Sequence, residues 1–125
     1  MALIHNNVFD AALNYVASNA SVAEVRDGTD TGLVTGVSLD GGNFGSPLDN
    51  AASSGGGRKI TCLVSSASDM KNISVGTAGS AQKVALIDAS TNVLVEASIT
   101  SAPISLGASD QVNLSTFDTI LKDPV

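Results

Sequence analysis

A chain of 125 residues fits one domain, able to bury roughly two-thirds of its unfolded surface. Twelve acidic against six basic side chains give a net charge of −6, which argues against nucleic acid as a partner, because such an interface needs dense positive charge. One cysteine excludes an internal disulfide and, with a single histidine, a Cys/His zinc cluster; three Phe, one Tyr and no Trp predict a lean core of Ala, Val, Leu and Ile.

The first residues, Met-Ala-Leu-Ile-His-Asn-Asn, lack the basic region and long apolar run of a signal peptide. No apolar stretch approaches 18 residues, so no membrane span is expected. These features predict a soluble protein made in a cytoplasm. Residues 6–18 predict a short helix. Val8, Ala11, Ala12, Tyr15 and Val16 recur at spacings of three and four and form its expected apolar face. Asn6 or Asn7 is the expected cap, Asp10 suits the positive end of the helix dipole, and Asn19 is the expected stop. An isolated helix of about 13 residues is marginal in water, so it must dock on its own domain or on a neighbour.

Residues 22–26 and 33–39 flank a turn-forming run, Asp27 to Gly32, and predict a hairpin with Leu33, Thr35, Val37 and Leu39 on one face. Residues 40–57 are rich in Gly, Ser and Asn and read as a long loop, a functional arm or a surface excursion, with Phe44, Pro47 and Leu48 as apolar islands. Residues 58–64, Arg-Lys-Ile-Thr-Cys-Leu-Val, read as the strand around which the chain is organised. Alternation puts Ile60, Cys62 and Val64 on one face and Lys59, Thr61 and Leu63 on the other. A turn at 66–69, a short strand at 73–75 and a Gly-bounded turn at 76–79 follow. Residues 82–88 and 93–99 form the strongest hairpin signal, with Val93, Val95, Ala97 and Ile99 on one face. Residues 104–106, 111–116 (Val112 and Leu114 inward) and 117–121 complete the extended pieces. The pattern is mainly β: an antiparallel β-sandwich or small barrel, in one domain spanning 1–125, with one short N-terminal helix.

The residues carry little chemistry. A Cys–His pair would need Cys62 of an apolar strand to meet His5 of the terminal segment; packing for the first and capping or solvation for the second explain both. The Gly55-Gly56-Gly57-Arg58-Lys59 run lacks phosphate-loop spacing and leads into a strand rather than a helix. Turn chemistry accounts for Asp27 and Asp30, which lack the ligand spacing of a calcium loop. Asp88, Glu96, Asp110 and Asp118 could approach one another on a sheet, though on a mostly exposed face solvation or a guard against edge pairing explains them better. No catalytic residue, metal or cofactor is expected.

Several short runs, taken in order, resemble a family. They are Leu3-Ile4-His5-Asn6-Asn7-Val8, Gly57-Arg58-Lys59-Ile60-Thr61, Ala85-Leu86-Ile87-Asp88 before a hairpin, Leu94, Phe117-Asp118 and Asp123-Pro124. Together they make the chain similar to small proteins of this length encoded among the structural genes of tailed bacteriophages. The resemblance implies a non-enzymatic virion protein. A capsid decoration or cement protein is expected first: a homotrimer seated on the major capsid protein shell, with no membrane or nucleic acid partner. A neck, tail or fibre component is the alternative, and a small glycan-binding module acting at the host surface is a second. On the leading reading the partner contacts come from Leu3, Ile4, His5, Asn6 and Val8 and from Phe44, Pro47 and Leu48 in the loop.

Overall fold

The chain opens with a helix, α1 (Asn6–Asn19), that passes without a loop into strand β1 (Ala20–Arg26). The computed structural model describes residues 4–50, 56–64, 71–99 and 102–122. Ten further strands follow: β2 (Gly32–Ser38), β3 (Leu48–Asp49), β4 (Arg58–Cys62), β5 (Ile73–Ser74), β6 (Gly79–Ala81), β7 (Lys83–Asp88), β8 (Val93–Ser98), β9 (Ile104–Leu106), β10 (Gln111–Val112) and β11 (Phe117–Leu121). A short 3₁₀ helix, Gly41–Asn43, lies between β2 and β3.

All pairings are antiparallel. The largest sheet has the order β2-β1-β7-β8, a second has β11-β4-β3, and β10-β5 and β6-β9 form two-stranded ribbons. No sheet closes on itself among the described residues. Of the two expected architectures, the structure is the sandwich-like one and not the barrel. One hydrophobic core joins the layers: Leu13 and Val16 of α1 pack with Ala23, Leu33, Val34, Ile60, Cys62 and Leu86.

The strand at 58–62 is not the hub that its sequence predicts. It pairs with β3 and β11, whereas the β7–β8 hairpin pairs with β1. The reason lies in composition. Val84, Ala85, Leu86 and Ile87 are consecutive and all buried, and such a run suits a central strand covered on both faces. In β4 only Ile60 and Cys62 are buried, while Lys59 and Thr61 alternate toward the rim.

Three expected alternations are interrupted, each by a local backbone feature. Leu63 adopts a left-handed φ of 57°, so the chain leaves the pleat after Cys62, and Leu63 turns into the core while Val64 turns out. On β2, Val37 faces Ala23, Val34 faces Val25 and Gly32 faces Arg26, so the β2 side carries one extra residue at each of two successive shifts, which together make an extended bulge. This bulge buries Leu33 and Val34 side by side and exposes Thr35. On β8, Val95 faces Leu86 and Val93 faces Ile87, leaving Leu94 as the extra residue and Val93 exposed.

Most of the described part of the 40–57 stretch is built into the fold. Asp40 caps the 3₁₀ helix by accepting from the Gly42 amide at 2.8 Å, and the Asn43 side chain accepts from the Asp40 amide at 2.8 Å. Phe44 bridges to Cys62, the Gly45 amide donates to the Thr61 carbonyl at 2.9 Å, and β3 pairs with β4. Asn50 is buried, and its side chain donates to the Gly56 carbonyl at 2.9 Å. Residues 51–55 and the expected turn at 66–69 lie outside the described residues. The turn expected at 76–79 closes earlier than predicted, because Gly79 already starts β6 against β9. The strand expected at 111–116 is regular only at Gln111–Val112, with Leu114 packed on the core beyond it.

A candidate docking face on the leading helix

His5 caps α1, its Nδ1 accepting from the Asn7 amide at 3.2 Å; Asn6, an expected cap, is already the first helical residue. At the other end the Ala20 amide donates to the Val16 carbonyl and the Asn19 side chain donates to the Tyr15 carbonyl, which satisfies carbonyls a helix end leaves open. Between these caps the helix carries two apolar stripes. Phe9, Leu13 and Val16 form one; Val8, Ala12 and Tyr15, with Ala11 beside them, form the other. One residue corresponds to about 100° of rotation, so the stripes are adjacent on the cylinder.

The core takes the other stripe from the one that the spacing predicts. Phe9, Leu13 and Val16 are buried, whereas Val8 and Tyr15 are 59% and 58% exposed. Of the five residues expected on the buried face, only Val16 is there. Side-chain size decides: burying Phe and Leu removes more apolar surface from water than burying the alanines of the other stripe. The missed signal was in the sequence, as the volume of the side chains rather than their period.

A polar clamp sets the rotation. Arg58, at the start of β4, grips Asp10 with both arms, Nε to Oδ1 at 2.7 Å and Nη2 to Oδ2 at 3.0 Å, and Nη2 also donates to the Pro47 carbonyl at 3.3 Å. Two residues past Val8, Asp10 lies about 200° round the helix from it. The clamp therefore holds the flank away from the outer stripe, and it keeps the Arg58 guanidinium protonated even above its ordinary range.

The outer face carries no charge. Asp10 is the one charged side chain among residues 1–23, and Arg58 neutralises it. Asn6, Asn7, Val8, Ala11, Ala12, Asn14, Tyr15, Ser18 and Asn19 are all exposed and all uncharged. In a protein with a net charge of −6 this leaves an uncharged apolar ridge bounded by amides. Interface centres have that character: charge is depleted and Tyr is enriched.

The other expected contact residues fall in different places. Ile4 is half-buried and His5 and Asn6 are exposed at the start of α1, continuous with Val8. Leu3 lies outside the described residues. Phe44 is 8% exposed and belongs to the core, so its ring serves the protein's own packing rather than a partner. Pro47 is drawn to the Arg58 side, and Leu48 on β3 is exposed opposite Lys59.

The groups weighed for chemistry are engaged separately. Cys62 is fully buried against Thr119, with Sγ 3.3 Å from Oγ1, and burial pushes its thiol up despite that hydrogen bond. His5 caps a helix on the surface. Asp88 accepts from the Ser90 and Asn92 amides, Glu96 pairs with Lys83, Asp110 accepts from the Gly107 amide, and Asp118 contacts Thr61 and Lys59. Oδ1 of Asp27 accepts from the Thr29 and Thr31 amides and the Thr29 hydroxyl, so Asp27 closes its turn. Among the described residues no cluster of three metal-ligating side chains forms. Comparison of the chain with protein-family models, with curated proteins and with solved structures finds no match.

Proposed function

We propose that the protein is a non-enzymatic structural component of a tailed-phage particle, a decoration protein that seats on the shell of major capsid subunits through the outer face of α1. The observation that carries this reading is the uncharged Val8–Ala12–Tyr15 ridge, held rigidly outward by a helix whose opposite flank is clamped to β4. The family resemblance of the sequence points the same way.

The physical logic is that of repeated weak contacts. Burying one Val-sized side chain contributes about 1.5–3 kcal/mol, so a single ridge binds modestly. Many copies on a symmetric shell, or one trimer meeting three subunits, add avidity. The acidic remainder of the surface keeps free copies apart in solution. A helix that is already formed loses little conformational freedom on docking.

Two measurements test this. Densitometry of purified virions gives the copies per major capsid subunit: a near-stoichiometric ratio is expected, a few per cent would move the protein to the neck, tail or a fibre, and absence would end the virion reading. Rebinding to shells stripped of the protein should be lost in Tyr15→Ser while the fold is kept. Unchanged rebinding would remove α1 from the contact.

A further inference from the structure

A second feature lies away from α1. A recess of about 280 Å³ opens where the β6–β9 and β10–β5 ribbons meet the largest sheet. Its floor is Val25, Ala81 and Val84, all buried, and Leu114 forms part of its wall. Among the described residues that line it, Gln111 and Asn113 are the polar ones, both exposed, and none is charged. A neighbouring recess of about 290 Å³ is lined by Ser98, Ser115 and Thr116 and is the more polar of the two.

The recess is held open by backbone hydrogen bonds on both sides. The Gln82 amide donates to the Arg26 carbonyl at 2.9 Å and the Ile99 amide to the Gln82 carbonyl at 3.0 Å, which fixes the floor. The Val75 amide donates to the Asp110 carbonyl at 2.9 Å, and the Asn72 amide to Asn113 Oδ1 at 2.8 Å, which fixes the far wall. These bonds tie down the chain beside Ala81 and on either side of Val112. Water in such an apolar recess has few partners, and an apolar group that displaces it gains affinity. With Oδ1 of Asn113 taken, its NH₂ group and the Gln111 carboxamide are the hydrogen-bonding groups available.

We propose that this recess binds a small uncharged molecule, an aromatic or alicyclic ring system carrying one hydrogen-bonding group. A cavity of about 150 Å³ accepts benzene, so this one takes about ten non-hydrogen atoms. Apolar walls with convergent polar groups are the usual form of such a site. A carboxylated ligand is disfavoured, because no described lining residue offsets an anion in a protein of net charge −6. The inference is independent of the docking face: the recess shares no residue with α1.

Indole is a suitable probe, with indole-3-acetate as its charged counterpart. Methyl NMR of the full chain titrated with indole should give saturable shifts at Val25, Val84 and Leu114, and none with indole-3-acetate. Ala81→Leu fills the floor and should weaken binding more than about tenfold while raising Tm. Gln111→Glu, an exposed change that spares the fold, should weaken binding too. Absence of saturable shifts would overturn the proposal, as would binding that survives Ala81→Leu with the fold intact. A recess that admits indole only when the protein is diluted would also overturn it, since a second copy would then be the occupant. None of these outcomes bears on the copy number in virions.

Discussion

The two stripes of α1 have the same period and opposite fates. Phe9, Leu13 and Val16 lie under the core; Val8, Ala12 and Tyr15, about 100° further round, face solvent. Period shows that a helix has an apolar side, but a helix with two such sides needs another arbiter. Here the arbiters are volume, which favours Phe9 and Leu13, and the Arg58 clamp on Asp10. The same helix thus serves both as a core element and as an exposed ridge.

The largest expected effect would break that contrast if it were absent. Leu13 is 1% exposed, so Leu13→Ala should cost about 2–5 kcal/mol in denaturant unfolding, whereas Tyr15→Ser should stay within about 0.5 kcal/mol. Equal losses would mean that both stripes are buried in solution.

The next test concerns the platform beneath the inner stripe. Gly57 has a φ of 87°, and a Cβ there would stand 1.9 Å from the Leu121 carbonyl oxygen. Gly57→Ala should therefore cost about 1–3 kcal/mol and raise amide exchange at the end of β11. Wild-type stability would show that β4 and β11 can part there without loss.

The clamp itself is a smaller term. Asp10→Asn and Arg58→Gln should each lower Tm by less than Leu13→Ala does, and the double variant should be no worse than the worse single one, as for two members of one interaction. Additive losses would mean that the two groups act separately.

The smallest effect is on acid stability. Hydrogen bonds from the Thr31 and Thr29 groups hold Asp27 below the usual carboxylate value of 3.8, the Lys83 ammonium does so for Asp30, and Asn92 and Ser90 do so for Asp88. A depressed carboxylate stabilises the fold above its unfolded value and loses that contribution as pH falls through its folded one. Tm should therefore hold down to about pH 4 and decline below it, and Asp88→Asn should flatten the decline. A Tm that begins to fall near pH 6 would show that these three carboxylates do not set the acid limit.

The β-rich class, the helix at 6–18, the β7–β8 hairpin and the tight turns at Asp27, Asp88 and Gly107 are legible in the residues alone. Those features are local: a turn is closed by its own Asp, and a hairpin by residues a few positions apart. Long-range packing alone sets which apolar stripe of α1 is buried, that β1 and β7 rather than β4 centre the largest sheet, that Phe44 is core, and that a recess remains above Ala81. Each depends on which distant segments compete for the same surface. A bulge or a single left-handed residue, as at Leu63, then reverses the faces that alternation alone would predict. The exposed ridge was legible as apolar but not as free, because freedom is the absence of a neighbour, and period alone does not say which neighbours a helix has.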